Sequence, residues 1–304
     1  MDNTLVIVTG PTASGKTDLA INIAREIGSD IVSADSRQIY MGLPIGTAAP
    51  TAEQLASVKH HFIGTLPLDA YYSAAEYEAD VMRLLPELWK KSNIAVMCGG
   101  SMMYIDAVTR GIDELPTIST RIRDEVKSMF ERGGNELLIN TLRRIDPAYL
   151  ERADLHNSRR LIHAIEITME AGQPCSSLLT GKARKRDFNI VKIAIDYERE
   201  QLFDRINRRT DAMIAAGLED EARAVYHLRH LNSLNTVGYK EMFAMMDGIM
   251  ERDTAIARIA KNTRVYAKKQ LLWLSKDPSV IRLSPGEDIA RRALDAIYAS
   301  ISSR

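Results

Sequence analysis

Eight consecutive residues near the start of the chain are the ones best suited to chemistry. Their pattern is Gly, four free positions, Gly, Lys and then Thr, which is typical of a phosphate-binding loop, or P-loop. In such a loop the glycines let backbone N–H groups converge on phosphate oxygens, Lys16 reaches the outer phosphates, and the Thr17 hydroxyl can hold Mg²⁺. An ordinary glycine-rich turn is the alternative. The predicted phosphate site comprises Gly10, Pro11, Thr12, Ala13, Ser14, Gly15, Lys16 and Thr17.

Further reactive side chains follow two other apolar stretches. Asp35 comes after the short stretch 30–34, where a carboxylate beside bound phosphate can hold Mg²⁺ or take a proton from a nucleophile. A helix-capping aspartate is the alternative. Arg37 and Gln38 are suited to base or phosphate contacts. Ser101 follows Gly99 and Gly100 and either contacts substrate or caps the next helix.

Two arginines in the second half of the chain complete the candidate site. Arg205 and Arg209 are one turn apart on a predicted helix, so they share a face that could hold a leaving phosphate. A solvated basic face is the alternative. Another helix carries Lys261, Arg264 and Lys268, opposite an apolar stripe that includes Tyr266 and is expected to be core.

The elements that must position these residues alternate between strand and helix. Strands are predicted at 5–9, 30–34, 94–98 and 190–195, with helices from Lys16, over 73–91, and at 199–216 and 218–228. This alternation predicts an α/β fold with a parallel sheet flanked by helices, and ligands then bind at the carboxyl ends of the strands. The P-loop, Asp35 and Gly99 all lie at such ends.

Between residues 115 and 189 the sequence predicts only helices, at 122–132, 136–145, 147–153 and 158–171. We therefore expect a helical insertion domain over 115–189, set between two parts of a catalytic core, 1–114 and 190–304.

Composition restricts the class of protein. Forty basic and forty acidic residues give no net charge, so a nucleic-acid partner would need a local basic patch. The two cysteines, Cys98 and Cys175, suit the reducing cytosol, and His60-His61 lacks metal-ligand spacing. No apolar run approaches 18 residues, so a cytoplasmic protein with no membrane span is expected.

Three classes remain open from the residues alone. They are a nucleotide or small-molecule kinase, a transferase whose P-loop holds diphosphate as a leaving group, and a non-catalytic nucleotide switch. The third is disfavoured because the strand 94–98 ends without an acid.

Ordered matches along nearly the whole chain distinguish these classes. The matching segments are 10–17, 34–40, 46–48, 60–61, 72–75, 99–101, 157–160, 217–219, 237–241, 263–264 and 266–270. With them the chain resembles the tRNA dimethylallyltransferase (tRNA isopentenyltransferase) family of bacterial type. The resemblance implies a P-loop NTPase-like core that binds dimethylallyl diphosphate and prenylates N6 of adenosine 37, beside the tRNA anticodon. Prenylation of free adenine nucleotides is the related alternative.

The resemblance also implies roles for particular residues. Asp35 would be the catalytic base, while Lys16, Thr17 with Mg²⁺ and Arg209 would stabilise the departing diphosphate. The target base would have to flip out of the anticodon loop, and the helical insertion would grip the anticodon stem-loop. A monomer is expected. The residues that match tRNA-contacting segments are Asp35, Ser36, Arg37, Gln38, Ser101, Arg123, Arg159, Arg160, Leu161, Ile162 and His163.

Several positions depart from the pattern usual in that family. This chain has Ala49, Gly64, Ser101, Met102, Met103, His163 and Lys269 where Lys, Asp, Thr, Gly, Leu, Arg and Arg are more usual. None of them lies in the P-loop or at Asp35 or Arg209, so the chemistry is expected to be intact. Their influence on tRNA binding is left open by the sequence.

Overall fold

Six parallel strands form a single sheet in the computed structural model, which describes residues 3–302. Their spatial order is β3-β2-β4-β1-β5-β6, so β1 lies in the interior of the sheet between β4 and β5. The strands are β1 (Thr4–Thr9), β2 (Ile31–Ala34), β3 (His60–His61), β4 (Ile94–Gly99), β5 (Asn189–Ile195) and β6 (Val280–Leu283). The parallel α/β architecture expected from the sequence is confirmed.

Thirteen α-helices connect these strands or form the insertion within residues 3–302. They are α1 (Lys16–Ile27), α2 (Ala52–Ser57), α3 (Ala74–Trp89), α4 (Met102–Arg110), α5 (Thr120–Ile145), α6 (Pro147–Leu150), α7 (Ser158–Ala171), α8 (Cys175–Leu178), α9 (Arg199–Ala215), α10 (Leu218–Val225), α11 (Tyr239–Met246), α12 (Arg252–Leu274) and α13 (Ile289–Ser302). Two short 3₁₀ segments, Tyr226–Leu228 and Asn232–Leu234, follow α10.

Apolar residues on both faces explain why β1 and β4 lie inside the sheet. Every residue of both strands is buried, as expected for parallel strands covered by helices on either side. Val6 of β1 is in register with Val96 of β4 and Val191 of β5. The apolar face of α1 packs in the same core through Leu19 and Ile23. The sheet interior thus provides a rigid base for the loops at its carboxyl edge.

The structure divides into two compact units, of which the larger contains the whole sheet. The smaller unit is Arg110–Arg184, so each of its boundaries lies five residues before the expected 115 and 189. The reason is local. Within the smaller unit the Arg184 N–H donates to the Arg110 carbonyl, whereas Arg186 donates to the carbonyls of Ala107 and Val108 in the larger unit.

The smaller unit is helical and has its own core. Its longest helix, α5, bends at Gly134, whose φ of 55° and ψ of −149° lie outside the helical region, so the two helices predicted there are the two arms of α5. Leu138, Leu142 and Leu161 are fully buried between α5 and α7. None of the helices within residues 3–302 combines the length and the apolar character that crossing a membrane requires.

Candidate active site

The P-loop connects β1 to α1 and leaves the start of α1 open. Gly10 and Gly15 have φ of 141° and 84°, values that residues other than glycine rarely adopt. Gly15 is the N-cap of α1 and, having no side chain, makes no capping hydrogen bond. The first N–H groups of α1 and the positive end of its dipole therefore face the loop. The buried Ser14 hydroxyl has no hydrogen-bond partner in the described part of the chain. These features suit an anion.

Two arginines of α9 hold this loop from one side. Arg205 Nε donates to the Ala13 carbonyl at 2.7 Å, and Arg209 Nη1 donates to Thr12 Oγ1, also at 2.7 Å. The expectation that Arg205 and Arg209 act from one helix face is thereby met, because both contact the P-loop. The neighbouring Arg208 is exposed and pairs with Asp204 of its own helix.

A cavity of about 420 Å³ opens in front of the loop. Burial lowers the pKa of both the Lys16 ammonium and the Arg209 guanidinium. The negative charge of the nearby Asp35 acts in the opposite direction and raises the pKa of each group, but burial outweighs it. Cations held in a partly desolvated site gain most from a bound anion. The cavity is lined by Lys16, Thr17, Arg205, Arg208 and Arg209 together with Asp18, Gln54 and neighbouring small residues.

Asp35 directly follows β2 and shapes the turn after this strand. Its Oδ1 accepts the N–H groups of Arg37 at 2.9 Å and Gln38 at 3.2 Å, which closes an Asx-type turn. The helix-capping alternative considered from sequence is wrong, because no helix begins at Asp35 and the next one is α2. Among residues 3–302 its Oδ2 has no hydrogen-bond partner. One carboxylate oxygen therefore fixes the orientation of the side chain, while the other is available to a ligand.

The end of β4 lies against the same turn. Ser101 Oγ accepts the Ser36 N–H at 2.8 Å and donates to Ser36 Oγ at 3.2 Å. A Cβ on Gly99 would lie 2.1 Å from the Ala34 carbonyl oxygen, so only glycine permits β4 and β2 to meet this closely. The three strand ends predicted to meet at one site, those of β1, β2 and β4, do so.

Arg37 and Gln38 bind other parts of their own unit. Arg37 Nη1 donates to the carbonyls of Asn232 and Ser233, at 2.8 and 3.2 Å. Gln38 Nε2 donates to the carbonyls of Thr47 and Ala48, at 3.1 and 2.9 Å. Both side chains therefore stabilise loops around Asp35. Their contact with tRNA stays a prediction.

Gln270 of α12 is a site residue that the sequence analysis did not single out. It is 2% exposed, and its amide joins the P-loop at Thr12 to the end of β4 at Gly100. Tyr266, expected in the core, is 37% exposed, and its hydroxyl donates to the same Gly100 carbonyl at 3.2 Å. Both residues lie in the segment 266–270 that matches the family, but the glycine carbonyl to which both donate is visible only in the fold.

The predicted tRNA-contacting residues of the smaller unit differ in exposure. Arg123 on α5 is exposed, as are Arg159, Arg160 and His163 on α7. Leu161 corrects the expectation, because its side chain is fully buried in the core of this unit and cannot contact RNA directly. Ile162 packs partly against the same core.

The basic residues at the start of α7 are placed against the usual electrostatic preference. Asn157 caps this helix by accepting the Arg160 N–H, and the first turn contains Arg159 and Arg160 but no acidic residue. Cations near a helix N-terminus are mildly destabilising because the helix dipole is positive there. The contact of Arg159 and Arg160 with RNA stays a prediction.

The paired histidines serve the structure. They form β3, where His61 Nε2 contacts Asp30 Oδ2 at 2.9 Å and His60 Nδ1 contacts the Val58 carbonyl at 2.8 Å. Within residues 3–302 no group of three or more His, Cys, Asp or Glu side chains could hold a metal ion. A metal ion in the P-loop cavity would therefore depend on the oxygens of a bound phosphate ligand.

The fold and the site together define a P-loop protein in which an oriented carboxylate lies at the same sheet edge as the phosphate-binding loop. Residues 38–277 match the family model described as IPP transferase. The chain belongs to this IPP transferase family.

Individual relatives agree over nearly the full length. The chain is 48% identical to tRNA dimethylallyltransferase 2 of Parabacteroides distasonis, covering 99% of both chains. It is 49% identical to tRNA dimethylallyltransferase 1 of Porphyromonas gingivalis, over 94% of this chain and 96% of the relative.

Solved structures agree as well. The full-length tRNA isopentenylpyrophosphate transferase of Bacillus halodurans is 31% identical, with a TM-score of 0.71 over 100% of this chain and 96% of the other. A eukaryotic dimethylallyltransferase acting on tRNA has a TM-score of 0.82 over 99% of this chain and 80% of the other. At 20% identity, the second likeness concerns the fold alone.

Proposed function

We propose that this chain transfers a dimethylallyl group from dimethylallyl diphosphate to N6 of adenosine 37 of tRNA, giving N6-(dimethylallyl)adenosine and diphosphate. The observation that carries the proposal is the pairing of two sites at one sheet edge. A cationic P-loop site after β1 is closed by Arg209, and Asp35 presents a free oxygen after β2, with β4 lying between these two strands. The names of the relatives supply tRNA and the dimethylallyl group, and the diphosphate donor and adenosine 37 are what the family resemblance implies.

The P-loop side of the site would bind the leaving group. As the bond between C1 of the allyl group and the diphosphate oxygen breaks, negative charge grows on the diphosphate. Lys16, Arg209 and the N–H groups at the start of α1 are already in position to stabilise that charge, so little reorganisation is needed during the reaction. Their partial burial strengthens the interaction.

Mg²⁺ fits this site only in the manner usual for phosphate enzymes. Mg²⁺ commonly keeps water ligands and uses substrate phosphates with one or two protein oxygens. The Thr17 hydroxyl at the cavity wall is such an oxygen. Bound there, Mg²⁺ would supply additional charge neutralisation for the diphosphate.

Asp35 would act on the other reactant. The N6 amine of adenine is a poor nucleophile because its lone pair is delocalised into the ring. A carboxylate oxygen within hydrogen-bond reach orients this amine and accepts its proton as the new N–C bond forms. Since Oδ1 is held by Arg37 and Gln38, Oδ2 is the oxygen assigned to this step.

The helical unit would contribute RNA contacts. Arg123, Arg159 and Arg160 are exposed cations on α5 and α7 of a chain with no net charge, and they would supply the local positive charge that RNA binding requires. His163 lies on the same helix as Arg159, 3.5 Å from Glu166. We propose that this unit binds the anticodon stem-loop and that the enzyme acts as a cytoplasmic monomer.

One assay tests the proposed reaction. The protein is incubated with Mg²⁺, labelled dimethylallyl diphosphate and either unmodified tRNA or the same tRNA with guanosine at position 37. The modified nucleoside is identified by mass spectrometry. Label incorporated only into the first tRNA supports the proposal.

Parallel reactions address the alternatives. Label incorporated into AMP but not into tRNA would indicate an adenine-nucleotide prenyltransferase. Phosphoryl transfer from ATP to an acceptor, with no prenylated product, would indicate a kinase. Either result contradicts the proposal.

A further inference from the structure

The side chain of Gln270 bridges two loops that are far apart in sequence. Its Oε1 accepts the Thr12 N–H at 2.8 Å, and its Nε2 donates to the Gly100 carbonyl at 2.9 Å. The orientation of the amide is unambiguous, because an N–H must face its oxygen and a carbonyl must face its NH₂ group. Both hydrogen bonds are buried.

Each end of this bridge leads to one half of the candidate active site. Thr12 belongs to the P-loop, and its hydroxyl accepts the hydrogen bond from Arg209. Gly100 precedes Ser101, whose hydroxyl holds the turn that carries Asp35. The bridge therefore connects the diphosphate side with the carboxylate side.

The surroundings are shaped around this amide. A Cβ on Gly100 would lie 2.4 Å from Gln270 Nε2, so residue 100 must be glycine for the bridge to form. The hydroxyl of Tyr266, one turn earlier on α12, donates to the same carbonyl. A buried amide with both ends bonded, set against a glycine, holds one geometry firmly.

We propose that Gln270 is a positioning residue that fixes the spacing between the P-loop and the Asp35 turn, so that the allylic carbon and the attacking nitrogen are aligned. The inference rests on the proposed function. It assigns Gln270 no contact with substrate. We expect its loss to lower kcat more than diphosphate affinity, because the groups proposed to bind diphosphate all lie on the P-loop side of the bridge, whereas reaction requires both halves in register.

The test compares three variants with the wild type. Gln270→Met has a similar length but cannot form the bridge, and Gln270→Glu keeps the acceptor for Thr12 while replacing the donor with a carboxyl group. Leu274→Ala removes a buried side chain on the same helix that is packed against Ala194 and Val280, and so controls for lost stability. Thermal unfolding of each variant verifies that it is folded.

For Gln270→Met we expect kcat for tRNA prenylation to fall by about 10- to 100-fold, which is the effect of misplacing reactants by a fraction of an ångström to 1 Å. The Kd for inorganic diphosphate with Mg²⁺, measured by calorimetry, should change little. Leu274→Ala should lower the unfolding temperature with kcat close to that of the wild type.

Gln270→Glu provides a readout that a purely structural role would not produce. A protonated carboxyl group can donate to the Gly100 carbonyl and accept from Thr12, whereas the ionised form repels that carbonyl. Burial raises the pKa of a carboxyl group, so protonation is reached at moderately low pH. The kcat of this variant relative to wild type should therefore rise as pH falls, while the ratio for Gln270→Met stays flat.

Two outcomes would overturn the inference while leaving the proposed function intact. One is a wild-type kcat in Gln270→Met, and the other is a loss of diphosphate affinity equal to the loss of kcat. A wild type that prenylates no tRNA would instead contradict the proposed function, and diphosphate binding would then still report on the P-loop separately.

Discussion

Ser101 Oγ accepts the Ser36 N–H at 2.8 Å, and this bond ties the end of β4 to the turn that presents Asp35. The hydroxyl also donates to Ser36 Oγ at 3.2 Å. Sequence reasoning left two roles open for Ser101, a contact with substrate and a cap for the next helix. The geometry adds a third, because Ser101 supports the neighbouring loop.

Replacing Ser101 should therefore distinguish support of the Asp35 turn from direct contact with substrate. Ser101→Ala removes the acceptor for the Ser36 N–H and should lower kcat about tenfold or more by loosening the Asp35 turn. Ser101→Thr retains an Oγ at the same place and should keep most of the activity. Steady-state kinetics with tRNA and dimethylallyl diphosphate measure both variants. If Ser101→Thr and Ser101→Ala were equally impaired, the support role would be excluded.

Asp35 should affect turnover far more than diphosphate binding. Asp35→Asn preserves an oxygen that can cap the turn but removes the basic group, so we expect kcat to fall by about 100-fold or more. The Kd for inorganic diphosphate, measured by calorimetry, should stay near that of the wild type because the P-loop is untouched. Asp35→Ala removes both functions and serves as the comparison.

A near-normal kcat in Asp35→Asn would discard the general-base role. Equal kcat values for the two variants, both strongly reduced, would show that the cap contributes little beyond the basic oxygen. A loss confined to Asp35→Ala would assign the residue to the turn alone.

The parts of the site that were predictable from sequence are those determined by neighbouring residues. The P-loop follows from local requirements, since Gly10 and Gly15 adopt positive φ and Lys16 and Thr17 begin the helix that faces the phosphate. The position of Asp35 at the end of a strand was predictable, but the sequence analysis offered a helix cap where the structure has an Asx-type turn.

Other features depend on contacts between distant segments. Gln270 lies 258 residues from Thr12 in sequence, and nothing near it in the chain indicates that partner. The strands β3 and β6 were not predicted, because β3 has only two residues and β6 is only partly buried. Their place in the sheet depends on pairing with β2 and β5.

Leu161 was assigned to RNA contact by resemblance, although a local signal argued otherwise. Leu161, Ile165 and Thr168 recur at helical spacing, and all three are buried on one face of α7. Helical periodicity would have separated the buried Leu161 from the exposed Arg160 and His163 on the same helix.

The exposed arginines at the start of α7 should govern tRNA affinity through charge. Arg159→Gln and Arg160→Gln should each weaken tRNA binding and reduce the slope of log K against log salt by about one unit for each phosphate contact removed. Fluorescence anisotropy at several salt concentrations measures this. The Kd for inorganic diphosphate should not change.

Lys90→Gln is the matched control for these variants. It also removes one exposed positive charge, at the end of α3, where Lys90 pairs with Glu87. Its salt slope should equal that of the wild type. Equal losses in Lys90→Gln and Arg159→Gln would mean that only overall charge matters and would contradict a specific RNA surface on α7.

The pair between Lys192 of β5 and Asp277 should make stability depend on pH. Lys192 Nζ lies 2.7 Å from Asp277 Oδ2, with side-chain exposures of 6% and 14%. Burial acts to raise the pKa of Asp277, but hydrogen bonds from Lys192 and Ser279 outweigh it and lower the pKa to about 2, against an ordinary value of 3.8. The folded state therefore binds this proton less readily than the unfolded state does.

The sign of the pH dependence follows from that difference. The stabilisation is fully present above the unfolded pKa of 3.8 and is lost as pH falls towards about 2.

Asp277→Asn leaves Lys192 buried without its charged partner and should lower the free energy of unfolding by about 3 kcal/mol at pH 7. Urea unfolding at several pH values should show the gap in unfolding free energy between wild type and Asp277→Asn narrowing below pH 4. Asp288→Asn is the control, because it breaks an exposed pair with Arg292 and should cost less than about 1 kcal/mol. A gap that stayed constant down to pH 2.5 would show that Asp277 stabilises the protein by packing and not by its charge.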